Sequence, residues 1–198
     1  KFFALSQKGA TENLAPFFMT VTNRRSDLVN DKLIAAGNER VLRARLADAK
    51  FFYEQDKQTP LDSLAEKLEI ITFYEGLGSV ADKAKRMAAL AGAIANHLDA
   101  ADPDTARRAA LLAKVDLASE MVGEFPELQG IMGGYYATAA GEAADVADAL
   151  TQHYRPQGPS DEIPASLYGR IVALADKIDT LTGFFGIGAK PTGSGDPF

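Results

Sequence analysis

The 198-residue chain has no cysteine and only two histidines, His97 and His153. The missing thiol removes disulfides, Cys-type zinc sites and cysteine nucleophiles together, and suits a reducing compartment, with the cytoplasm as the expected location. Two imidazoles far apart in the sequence, neither in an HExxH, are too few for a His-rich metal site, so each is expected at the surface or satisfied inside. His153 ends a helix-like run, where positive charge would suit the negative end of the helix dipole. No GxSxG elbow offers a serine nucleophile. No apolar run nears the roughly 18 residues of a membrane span, and no basic signal-type segment precedes KFFAL, so no membrane is expected as a partner. An initiator Met is also lacking, and the end GSGDPF has neither helix nor strand pattern, so the chain reads as a piece of a longer one. Nor is there a basic field. Net charge is −6; residues 1–100 carry 14 Lys/Arg against 13 Asp/Glu, and 101–198 carry 7 against 14. A nucleic acid would therefore have to be met by a local basic face.

With 46% apolar and 24% charged residues, the composition is that of a globular protein. KFFAL at 1–5 and PFFMTVT at 16–22 are aromatic and β-branched around the turn-like QKGATEN, which predicts a hairpin. Two strands alone are marginal in water, so these are expected to belong to a sheet lying mostly outside this chain or to pack on helices. From Gly37 onward the pattern is helical. Leu42, Leu46, Ala49 and Tyr53 recur at four, three and four, with Asn38 as the expected N-cap. Further helices are predicted near 60–72, 80–99, 103–122, 128–136, 140–154 and 164–182, with Asp102 or Asp104 capping the one at Pro103. Without βαβ alternation or a fixed repeat, the expected fold is mainly α: a hairpin and linker over 1–36, a helical domain over 37–185 and a Gly-rich connector over 186–198.

Candidate chemistry is thin. GIGAKPTGSG has the glycines of a phosphate loop, but Lys190 is followed by Pro191 and no strand precedes it, so a connector is the better reading. Arg40, Arg43 and Arg45, with Lys83, Lys85 and Arg86 on a later helix, are the dense basic content and the RNA-binding candidates. Glu39 with Arg43 is equally an ordinary i,i+4 pair on a solvated face. KVDLASEMVGEFPELQGIMGGYYA at 114–137 places four carboxylates and a tyrosine pair in an apolar run. Leu117, Met121, Phe125 and Leu128, at intervals of four, four and three, predict core packing there.

Three runs go beyond periodicity: GNERVLRARLADAKFFYEQD, then EFPELQG followed by YYA, then ALADKIDTLTGFFGIGAKPTGSGDPF. In content and order they resemble the bacterial glycyl-tRNA synthetase β subunit across essentially the whole chain. The resemblance implies an α/β assembly for ATP-dependent attachment of glycine to tRNA(Gly). The α subunit would carry the class II core and use ATP and Mg²⁺, and the β subunit would serve tRNA recognition. It implies as partners the α subunit, tRNA(Gly) and the other β-subunit domains, with no cofactor in this segment.

The same resemblance implies an HD-like helical domain, whose active relatives hydrolyse phosphate esters with a metal held by His, a His-Asp pair and a later Asp. LLAKVDLASEMV would place Val115 and Asp116 at the pair, and ALADKID would place Asp176 at the final Asp. Valine donates no lone pair, so the metal shell is degenerate and a catalytically silent domain is expected. Asp116 and Asp176 are then expected to serve capping or internal hydrogen bonds. The reading is a noncatalytic tRNA-positioning or architectural module; the alternatives are a metal-dependent HD-type phosphohydrolase and a purely structural spacer.

Overall fold

A computed structural model describes residues 2–7 and 10–189. Among these residues there are eight α-helices and two small antiparallel hairpins, so the protein is mainly α. It divides into two compact units, 1–46 and 47–198, the boundary falling inside the first helix.

In the first unit β1 (Phe2–Gln7) pairs antiparallel with β2 (Ala10–Thr20), Phe2 opposite Thr20 and Ala4 opposite Phe18, with bulges toward the turn. The Phe2 and Phe18 rings meet edge to face at 5.5 Å. The helix α1 (Leu28–Asp56) begins nine residues earlier than Gly37 suggested. Its start is set by Asp27, whose carboxylate accepts the Val29 N–H at 3.1 Å and the Asn30 side chain. Asn38 is no cap: it lies inside the helix and donates to the Ile34 carbonyl at 2.9 Å. Gly37 weakens a helix interior by about 1 kcal/mol, which the good helix formers on both sides outweigh.

The second unit holds the core. After α2 (Leu61–Lys67) and a 3₁₀ turn, strands β3 (Thr72–Tyr74) and β4 (Gly78–Ser79) make a small hairpin that the helical reading of 60–72 did not anticipate. Ser79 and Asp82 form a capping box that starts α3 (Val80–Ala95). Asp102, with Pro103 behind it, caps α4 (Pro103–Leu112). The predicted helix over 103–122 is broken: a 3₁₀ turn spans Val115–Ala118, and Ser119 caps the short α5 (Glu120–Glu124). Then come a turn at Pro126–Leu128, α6 (Ile131–Ala139), α7 (Ala144–Gln152) and, capped by Ser166, α8 (Leu167–Gly186). The connector expected over 186–198 lies outside the described residues from Lys190 on.

Helices α3, α4, α7 and α8 pack on one another through small side chains, with Ala91, Ala106, Ala109, Ala110, Ala149 and Ala175 all fully buried. Larger groups fill the remaining space, chiefly Leu64, Leu68, Met87, Leu112, Leu150 and Val172. Helices α6 and α7 touch at Gly134, where a Cβ would overlap the Thr151 hydroxyl and come within 3.1 Å of the Ala147 carbonyl. Gly134→Ala should therefore lower stability by about 1–3 kcal/mol in chemical denaturation. An unchanged midpoint would mean that the two helices separate freely.

Candidate functional site

Ionisable side chains do not suit a core unless their partners arrive with them. In the second unit they do. Helix α3 presents Lys83 and Arg86, the turn after α4 presents Lys114, the residue that ends α7 is His153, and α8 presents Asp176 and Asp179. Lys83, Lys114, His153 and Asp179 are buried, Asp176 nearly as deeply, and Arg86 closes the outer edge.

The geometry is that of a bridged cluster. The Lys114 ammonium donates to Asp176 Oδ2 at 2.7 Å and to His153 Nε2 at 2.9 Å, and lies 3.8 Å from the centre of the Tyr154 ring. Lys83 binds the other oxygen of the same carboxylate, Asp176 Oδ1, at 2.8 Å, together with Asp179 Oδ2 at 3.1 Å and the Thr180 hydroxyl at 2.7 Å. Arg86 completes the set with a two-pronged contact to Asp179, 2.6 and 3.2 Å, and a bond to the Leu77 carbonyl. His153 Nδ1 faces the Leu150 carbonyl at 2.8 Å, which puts the proton on Nδ1 and leaves Nε2 as an acceptor for the lysine.

Electrostatics follows from burial and these partners. Burial draws the Lys114 ammonium down to about 8 against the pull of Asp176. Burial also depresses His153, seconded by the Lys114 charge, to about 3. The histidine at the end of α7 is thus neutral and internal, and the expected interaction of a charged imidazole with the helix dipole does not occur. Burial pushes Asp176 up, but the ammonium groups of Lys114 and Lys83 outweigh it and hold the carboxylate at about 2.

Of the residues assigned to a degenerate HD pattern, Val115 is packed in the apolar core and Asp176 is the bridge just described. Asp116 is fully buried in the 3₁₀ turn. Its Oδ2 accepts the N–H groups of Gly130 and Gly133, which shapes the start of α6, while Oδ1 has no hydrogen-bond partner among the described residues. Burial raises this carboxyl's pKa against those two N–H groups. Among the described residues no group of three or more His, Asp or Glu side chains could hold a metal ion. The reason is visible in the cluster: the lone pairs of His153 and Asp176 already receive ammonium N–H bonds, so the residues present do not fit a catalytic metal.

The basic candidates separate in kind. Lys83 is not at the surface, and its ammonium is committed to Asp176 and Asp179. Arg86 is held by Asp179, and Lys85 lies 3.5 Å from Glu69 on an exposed face. Arg43 pairs with Glu39 at 2.6 Å, both exposed. Arg40 and Arg45 are exposed on α1. A surface groove of about 510 Å³ beside the second hairpin is lined by Glu69, Glu75 and Asp82 among others, carboxylates that repel phosphate.

Met121 in the 114–137 stretch is buried, and Leu117, Phe125 and Leu128 are half-buried against the core, but on three short elements and not one helix. Gly130 has φ 83°, and a Cβ there would meet the Tyr154 ring at 2.7 Å. Tyr136 is internal. Its hydroxyl donates to Asp56 Oδ2 at 2.7 Å, and its ring stacks on Tyr53 at 5.9 Å. Asp56 also accepts the Glu120 and Met121 N–H groups at 3.0 Å each, thereby tying the end of α1 to the start of α5. Sequence reasoning passed over Asp56 and Lys114. A signal did exist: Asp176 and Asp179 fall on the same face of α8 as Val172 and Ala175, and acids on an apolar face require cationic partners.

The sequence profile described as Glycyl-tRNA synthetase beta subunit matches residues 1–198. The chain is 52% identical over 198 residues to a glycine–tRNA ligase beta subunit from Azotobacter vinelandii, covering 100% of this chain and 28% of that protein. It is 51% identical over 201 residues to the corresponding protein from Phenylobacterium zucineum, covering 30% of it, and 47% identical over 203 residues to that of Gloeothece citriformis, covering 28%. The chain thus spans less than a third of the length of these curated relatives.

Proposed function

The chain belongs to the glycyl-tRNA synthetase β-subunit family, and from that premise we propose that it is a noncatalytic, HD-like module that positions tRNA or neighbouring β-subunit domains during attachment of glycine to tRNA(Gly). Activation of glycine with ATP and Mg²⁺ is the task of the α subunit in this reading, and the place of work is the cytoplasm. The observation that carries it is the bridged cluster: side chains available for metal or acid–base work are bound to lysines in the core, which suits a scaffold. The ion pairs of Lys83 and Arg86 with the buried Asp179 favour an architectural role for that face of their helix, whereas Lys85, exposed beside an equally exposed Glu69, stays available to a phosphate. Exposed Phe17 and Met19 on β2 support assignment of the hairpin to a neighbouring domain.

RNA contact falls to the exposed arginines of α1. Among the described residues Arg43 is tied by an i,i+4 pair with both partners solvated, worth a few tenths of a kcal/mol, so it is available to a phosphate. In the assembled enzyme, Arg40→Glu with Arg43→Glu should raise the KM for tRNA several-fold, an effect that grows with falling salt, while ATP–pyrophosphate exchange with glycine stays unchanged. Unaltered tRNA kinetics at low salt in the folded variant would leave the spacer role and remove α1 from the RNA surface.

A further inference from the structure

The ammonium of Lys114 stands at the point where two buried donors, His153 Nε2 and Asp176 Oδ2, converge. His153 offers Nε2 while its Nδ1 faces the Leu150 carbonyl at 2.8 Å, the arrangement by which proteins orient a metal-binding imidazole. Asp176 uses both oxygens as a bridge, Oδ2 to Lys114 at 2.7 Å and Oδ1 to Lys83 at 2.8 Å. Two lysines sharing one carboxylate bring the two positive charges that a divalent ion would bring. Contacts of 2.7–2.9 Å around nitrogen are about 0.7 Å longer than zinc-type bonds to the same donors, so contraction of one side-chain shell separates the two states.

We infer that Lys114, with Lys83 beside it, is a built-in substitute for a divalent cation, and that replacement of Lys114 alone turns this cluster into a transition-metal site. His153, Asp176 and the replacing side chain would be its donors. The lysine is therefore a positioning residue that holds the cluster closed, whatever part the module takes in glycylation. In the unsubstituted protein a chelator should leave thermal unfolding unchanged.

The test uses the full-length β subunit and Co²⁺, whose visible absorption reports a low-coordinate nitrogen and oxygen shell. Lys114→His should bind about one Co²⁺ per chain more than the unsubstituted protein, with the matching absorption and a raised unfolding temperature. Adding His153→Gln should abolish that extra equivalent. If Lys114→His does not fold in the absence of metal, it and Lys114→Glu are refolded with and without CoCl₂, and recovery of helical circular dichroism only with metal supports the inference. Absence of extra metal in a folded Lys114→His variant, or failure of Co²⁺ to rescue either unfolded variant, overturns it. So does extra metal that survives His153→Gln.

Discussion

Asp176→Asn should cost about 3–5 kcal/mol, a large share of the stability of an ordinary domain. Asparagine keeps the shape of the side chain but removes the charge that Lys83 and Lys114 share at 2.8 and 2.7 Å. Lys83 then keeps the Asp179 carboxylate, which it shares with Arg86, while Lys114 is left with the neutral His153 nitrogen and the Tyr154 ring. The sign of the effect comes from desolvation: a buried charge stripped of its counter-ion loses far more than the net worth of the pair. Lys114→Met in the Asp176→Asn background should recover part of the loss, because it removes one orphaned cation and leaves the thioether chain to fill its space. The double-mutant cycle read by chemical denaturation gives this coupling directly. Additive losses in the double variant would mean that Lys114 and Asp176 do not act on each other.

Acid should weaken the protein well before ordinary carboxylates titrate. His153 has its pKa depressed from 6.5 to about 3 in the folded protein, so between those values the unfolded chain binds a proton that the folded one refuses. Stability from this group is complete above pH 6.5 and is lost as pH falls toward 3, at about 1.4 kcal/mol per pH unit and about 5 kcal/mol in all. Asp176, held at about 2 against an ordinary 3.8, adds a loss of the same sign below pH 3.8. Lys114 does not enter this window, since its ammonium stays charged below about 8. Asp116, raised by burial, opposes this loss, since the folded chain takes up its proton before the unfolded one does; the His153 contribution is the one that should lower denaturation midpoints between pH 7 and 4, and His153→Gln should flatten that fall. Glutamine can still face both the Leu150 carbonyl and Lys114 but takes up no proton. The same slope in that variant would assign the acid response to other groups.

Much of the architecture is written in local pattern. The aromatic and β-branched ends around QKGATEN specify the hairpin, Pro103 behind Asp102 specifies a helix start, and the spacing of Leu42, Leu46, Ala49 and Tyr53 specifies α1 along most of its length. Local pattern failed where a local rule was outweighed by context. Gly37 read as a boundary because glycine is a poor helix former, yet neighbours on both sides carry the helix through it. Leu117, Met121, Phe125 and Leu128 kept a helical interval across a segment that Ser119 and Pro126 break into short turns, so the apolar face was right and the element wrong.

The sequence by itself determined the mainly α class, the family motifs and the absence of an imidazole at the expected metal pair, since each is a matter of which residues are present and at what interval. Only the tertiary structure decided what the charged residues do. Lys83 and Arg86 looked like the cations of a surface helix until α8, more than 90 residues further along, brought Asp179 against them. Lys114, the most consequential side chain of the cluster, had no local mark at all, because a lysine becomes a core residue only when His153 and Asp176 arrive from two other helices to accept its protons. Periodicity records the face on which a side chain lies; the partner that makes burial of its charge tolerable comes from elsewhere in the chain and is set by packing.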